Sequence, residues 1–178
     1  MLCAAAVPII ACDDDLGLDD WSAIPDTVTI FSLSREDLIG MPSAYDFVEH
    51  RLREVESPGA TGNWDVALRH EANQLVLVPA GGFEGQQSRA GLALIPNTTF
   101  EELSEAPGDT AAFTRSPAFV QAGQVYAVRT RRASCGFSVG VRYGKLKIIN
   151  VDPTDGTLTF ESIVNPFCND RSLIPKED

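Results

Sequence analysis

Val125-Tyr126-Ala127-Val128-Arg129-Thr130 alternates with the period of a strand: Tyr126, Val128 and Thr130 fall on one face, Val125, Ala127 and Arg129 on the other. Residues 139–151 (VGVRYGKLKIINV) read as a second strand and residues 158–164 (LTFESIV) as a third. Between the last two, Asp152-Pro153-Thr154-Asp155-Gly156 is a turn by composition: proline presets φ, aspartate bonds its own backbone, and glycine takes positive φ without strain. Strands in direct succession with short links pair antiparallel, because parallel pairing needs a long crossover.

The same reading extends upstream. Thr27-Val28-Thr29-Ile30-Phe31-Ser32-Leu33 is rich in β-branched residues and follows Pro25-Asp26. Ser34-Arg35-Glu36-Asp37 predicts a turn or a short capped helix. Residues 43–55 stay open between one helix and a strand. Tyr45, Val48, Leu52 and Val55 have helical spacing, but Phe47 and His50 fit that face poorly. Ser57-Pro58-Gly59-Ala60-Thr61-Gly62 is a loop. Trp64-Asp65-Val66-Ala67-Leu68 and Leu75-Val76-Leu77-Val78 read as strands paired about Glu71-Ala72-Asn73, the second broken by Pro79-Ala80-Gly81-Gly82. Residues 91–95 form another short strand, and Phe100-Glu101-Glu102-Leu103 one helical turn with Thr99 as N-cap. Trp64, beside alternating apolar residues, belongs to the core. The expected fold is all-β, an antiparallel two-sheet sandwich with one or two short helices, in a single domain over residues 27–178.

A chain of 178 residues is long enough for one such domain to fold without a cofactor. Its formal net charge of −11 disfavours nucleic acid and anionic headgroups, and no basic stripe with interleaved aromatics offsets that field.

The N-terminus points to export. Residues 1–11 (MLCAAAVPIIA) are apolar and too short to span a bilayer, which takes about 20 residues. Ile9-Ile10-Ala11-Cys12 resembles a bacterial lipobox, which implies lipid on Cys12 and cleavage after Ala11. A signal peptide opens with positive charge. No Lys or Arg precedes Cys12, so residues 1–11 read as a truncated signal segment whose true start lies upstream, the alternative being a buried apolar strand or helix that precedes an acidic loop. Residues 12–26, with the acidic run DDDLGLDD at 13–20, then form a solvated tether; the spacing of a calcium loop is absent. If Cys3 leaves with the signal and Cys12 is acylated, Cys135 and Cys168 remain as a disulfide in an oxidising compartment. A metal site is the rival reading, and neither cysteine has a second Cys or a His near it in sequence.

Groups suited to catalysis are few. Gly136-Phe137-Ser138-Val139-Gly140 matches G-x-S-x-G, but a nucleophile elbow runs from strand into helix, and here strand-like sequence follows. His50 and His70 both lie upstream of Ser138 and read as structural. The motif is therefore a glycine-rich strand entry, no catalytic residue is assigned, and no metal site is read. Arg129, Arg131, Arg132, Arg142, Lys145 and Lys147 are the basic concentration of the chain: either a solvated face paired with carboxylates, or a contact patch for an acidic partner or anionic headgroup.

Five segments, in order, resemble the HmuY-like family of bacterial envelope lipoproteins: residues 63–68 (NWDVAL), 100–107 (FEELSEAP), 125–130 (VYAVRT), 143–148 (YGKLKI) and 156–160 (GTLTF). The resemblance implies a secreted fold of packed antiparallel sheets. The best-known members of that family bind haem through two axial side chains. Neither has a counterpart here; His50, His70 and Met41 are the candidates by residue type. The expectation for function is a non-enzymatic, lipid-anchored protein on the extracytoplasmic side of a bacterial membrane. It would be an accessory subunit docked on a larger membrane-anchored complex, an electron-transport or photosynthetic complex being one such host. The alternative is a small-ligand, haem-type binding lipoprotein.

Overall fold

The computed structural model describes Trp21 and residues 24–175; residues 1–11, expected to be a truncated signal segment, Cys12 and the acidic run at 13–20 lie outside the described residues. The described residues form ten strands: β1 (Asp26–Phe31), β2 (Ala44–Asp46), β3 (Arg51–Arg53), β4 (Val66–Glu71), β5 (Gln74–Pro79), β6 (Gly91–Leu94), β7 (Ala118–Phe119), β8 (Val125–Cys135), β9 (Ser138–Asp152) and β10 (Thr157–Val164). They form two antiparallel five-stranded sheets, ordered β1-β10-β9-β8-β6 and β3-β2-β4-β5-β7. The two-sheet sandwich expected from the sequence is what the chain forms. In place of the one or two short helices expected, the described residues hold three 3-10 turns, at Glu36–Leu38, Ala80–Gly82 and Thr110–Ala112, the first of them in the segment read as a turn or short capped helix.

The turns are where composition placed them. Asp152 accepts the N–H groups of Thr154 and Asp155 at 2.9 Å, and Gly156 takes φ +66° to enter β10. Ala72 and Asn73, both at positive φ, close the two-residue β4–β5 hairpin. Residues 43–55 are the open case, and the strand reading holds there. β2 and β3 form a hairpin whose link ends at His50, at φ +54°, so the apparent helical spacing is an accident of two short strands and a turn.

Alternation sets the core between the sheets. Val28, Ile30, Leu92, Tyr126, Val128, Leu146, Ile148, Leu158 and Phe160 from the first sheet meet Tyr45, Phe47, Val66, Leu68, Leu75 and Leu77 from the second. Tyr45 stacks edge-on against Phe47 and Phe160, with ring centroids 5.0 and 5.6 Å apart.

The outer face of the first sheet is also covered. Phe100, Leu103, Ala106, Phe113 and Leu173 pack on Val125, Ala127, Val141 and Tyr143, so β8 and β9 are apolar on both faces. Thr99 begins the segment that lies there. It exchanges bonds with Glu102 in a capping box, giving the single turn expected at 100–103. A third cluster sits outside the second sheet, where Trp64 is buried among Ala44, Ala60, Ala67, Ala80 and Ala90 and meets Phe83 edge-on at 4.9 Å.

Candidate functional site

The basic concentration does not form one surface. Arg129, Lys145 and Lys147 do share the outer face of the first sheet, but that face is covered. Lys145 is 3% exposed, and its Nζ donates to the carbonyls of Phe100 and Leu103 at 2.7 and 2.9 Å, capping the 100–103 turn. Burial lowers its pKa. Lys147 pairs with Glu161 at 3.3 Å, and Arg129 is half-buried. Arg142 points the other way and donates to the Val48 carbonyl at 2.9 Å, crossing to the second sheet. Lys145 and Arg142 thus make internal hydrogen bonds instead of sharing one free face; strand alternation alone does not reveal that a loop covers the far side of the first sheet.

Arg131 owes its position to a bulge. Between the pairs Arg129–Tyr143 and Arg132–Val141 the register shifts, so Thr130 and Arg131 oppose the single residue Arg142. The Thr130 hydroxyl accepts the Arg142 N–H at 2.9 Å and donates to the Arg131 carbonyl at 2.8 Å, satisfying the disrupted ladder. The extra residue turns the Arg131 guanidinium toward the second sheet, where it binds both carboxylate oxygens of Asp46 and one of Asp65.

Asp46 also accepts the N–H groups of Val48 and Glu49 and a guanidinium N–H of Arg53, each at 3.0 Å. Burial alone would raise its pKa, but the hydrogen bonds from Arg131 and Arg53 outweigh that and hold it below the usual carboxylate range. Asp65 accepts the N–H of Phe47 at 2.8 Å. For Asp65 burial wins, and its pKa is pushed up to about 6 despite Arg131 beside it. Each charge in this inter-sheet network has a charged partner, so it holds the sheets together and spends the charge of Arg131 internally.

Over this network opens a cleft of about 600 Å³. Arg131 lies in its wall with Arg89, Arg115, Arg132, Gln86 and Ser88, and among the described residues no Asp or Glu lines it. Two glycines make it. A Cβ on Gly82 would lie 2.1 Å from the Arg115 carbonyl oxygen, and one on Gly81 would lie 2.7 Å from the Ser88 carbonyl oxygen. The Gly81-Gly82 pair thus lets the Arg115 and Ser88 segments close together, and mutual bonds between Leu92 and Thr114 fix the first of these against β6. Of the arginines, sequence reading picked out Arg131 and Arg132; Arg89 and Arg115 lie in loops, and no local pattern marks them.

The histidines are apart. His50 Nδ1 lies 2.6 Å from Asp26, which also accepts the Tyr45 hydroxyl at 3.2 Å. His70 bonds Ser32 at 2.9 Å and the Pro153 carbonyl at 3.2 Å. Asp26 and Ser32 mark opposite ends of β1, about 20 Å apart at strand rise, so His50 and His70 cannot ligate one iron.

Cys135 and Cys168 are bonded, with Cα atoms 6.1 Å apart. Cys135 ends β8, Gly136-Phe137 turn the chain, and Ser138 opens β9, so the G-x-S-x-G match is a strand-to-strand hairpin. The Ser138 hydroxyl donates to the Cys135 carbonyl at 3.3 Å. Gly140 is needed for close approach: a Cβ there would sit 2.8 Å from the Cys168 Cβ.

A scan against family models gives no match to this chain, and a search of curated proteins gives none either.

Proposed function

We propose that the protein is an exported, lipid-anchored envelope protein that works by binding, as an accessory subunit docked on a larger membrane-held assembly. The observation that carries this reading is the Cys135–Cys168 bond. Structural disulfides persist outside the reducing cytosol, and this one closes a 33-residue separation between a hairpin tip and the tail segment. The lipobox-like Ile9-Ile10-Ala11-Cys12 supplies the anchor, and stable anchoring needs more than one acyl chain. The resemblance to HmuY-like lipoproteins points to the same compartment. Interior charges support a binding role over a reactive one: Asp46, Asp65, Arg131 and Lys145 are all engaged in holding elements together.

Fractionation of the source cells tests this, with mass spectrometry of the N-terminal peptide and a thiol count without reductant. The expected result is a membrane-associated chain beginning at acylated Cys12, with no free thiol at Cys135 or Cys168. Recovery from the cytosol with unmodified Met1 and all four cysteines free overturns it.

A further inference from the structure

We infer that the arginine-lined cleft is a binding site for a small polyanion, a compact molecule carrying two or more carboxylate or phosphate groups. The inference stands on the cleft alone and does not depend on how the chain is anchored.

Charge distribution is the first support. Acidic residues outnumber basic ones 25 to 14 in the sequence, and Arg35, Arg51, Arg53, Arg69, Arg131, Lys147 and Arg171 each sit within ion-pair distance of a carboxylate. Arg89, Arg115 and Arg132 are exposed, and among the described residues none of them has an ion pair or a side-chain hydrogen bond. All three line this one cleft, whose wall holds no carboxylate among the described residues. In so acidic a protein, free arginines would be expected to find carboxylates. Gathered where none is present, they form a local positive field inside a negative one.

Recognition chemistry is the second support. Guanidinium forks match the planar or tetrahedral oxygens of carboxylate and phosphate, and they do so best when the competing partner is absent. Arg131 cannot serve as a fourth free cation, because Asp46 and Asp65 hold it; it forms a rigid wall instead. Gln86 and Ser88 add neutral polar groups.

Size and long-range charge together select the ligand class. The volume of about 600 Å³ suits a small molecule. A chain of net charge −11 repels an extended polyanion such as nucleic acid, whereas a compact ligand lies wholly within the short-range field of the three arginines.

Trp64 provides the readout. It shares a buried cluster with Ala90, the neighbour of Arg89, and meets Phe83 edge-on in the loop that leads to Gln86 and Ser88. With Trp21→Phe in the full chain, Trp64 is the remaining tryptophan. Citrate and pyrophosphate are titrated at low salt by Trp64 fluorescence and by calorimetry, with chloride at matched ionic strength as control. Saturable binding of either probe is expected, weakened about tenfold by each of Arg89→Gln, Arg115→Gln and Arg132→Gln. Lys147→Gln, which removes the same charge outside the cleft, leaves affinity unchanged. Preference for citrate or for pyrophosphate tells a carboxylate ligand from a phosphate one. Because the three arginines make no internal ion pair or side-chain hydrogen bond among the described residues, the variants keep the parent melting temperature, which is checked alongside. No saturable binding, or equal loss in Lys147→Gln, overturns the proposal.

Discussion

Asp65, just ahead of β4, accepts the main-chain N–H of Arg131 in β8 at 2.6 Å, so one buried carboxylate is bonded directly to the backbone of the opposite sheet. Its other oxygen takes the Phe47 N–H and an Arg131 guanidinium N–H. The bulge at Thr130-Arg131 aims both the amide and the side chain at it. The sandwich is therefore joined at this end by charge-assisted hydrogen bonds as well as by apolar packing.

Asp65→Asn tests that joint. An amide places N–H groups where donors already point, so the variant loses about 1–3 kcal/mol, the range for a buried donor left without its acceptor, and the loss is smallest above pH 6, where wild type itself bears the cost of an ionised buried carboxylate. Chemical denaturation measures it. The pH dependence has a definite sign. The carboxyl pKa is about 6 when folded, against an ordinary value of 3.8, so the folded state binds this proton more tightly. The contribution of Asp65 to stability therefore rises as pH falls from about 6 to about 4, by roughly 3 kcal/mol in all, and is flat above pH 6. The difference between wild type and Asp65→Asn should show that slope. Asp46, held below the usual range, acts the opposite way, its contribution being lost as pH falls through its lowered folded pKa.

Replacing both Cys135 and Cys168 by serine removes a link across 33 residues and costs about 4 kcal/mol by chain-entropy arithmetic. The β8–β9 tip and the segment after β10 should lose amide-exchange protection first, since Cys168 and Asn169 lie against Gly140 and Val141. The sheet centre, where Leu146 and Ile148 are buried, should keep it.

Strands were legible in this sequence because period-two alternation and turn chemistry act over a few residues. Val125-Thr130 and the Asp152-Gly156 turn each carry their own signal. Residues 43–55 were ambiguous because β2 and β3 have three residues each, too few to show a period. The site was legible only in part. Arg131 and Arg132 stood out as charges, but the bulge that separates their fates depends on the partner strand. Arg89 and Arg115 are joined by tertiary closure over Gly81-Gly82, which leaves no mark in local sequence.

Lys145→Met separates structural from surface charge on β9. Methionine fills the stem's volume but leaves the carbonyls of Phe100 and Leu103 without their buried donor. A loss of about 2 kcal/mol is expected, with citrate and pyrophosphate affinity unchanged. Loss of affinity without loss of stability would mean that Lys145 reaches the surface after all.

Gly82→Ala probes the closure that shapes the cleft. Its Cβ would fall 2.1 Å from the Arg115 carbonyl oxygen, and the obstacle is backbone, which cannot rotate away as a side-chain tip can. The segment carrying Arg115 must move, and the Leu92–Thr114 bonds beside it resist. A melting temperature lowered by several degrees is expected, since about 1–3 kcal/mol is typical of overpacking. Gly85→Ala in the same loop is the control. Gly85 has open space around it but sits at φ +79°, so its cost is backbone strain alone and leaves Arg115 in place. If the cleft is built as described, Gly82→Ala weakens polyanion binding and Gly85→Ala spares it, even where the two lose similar stability.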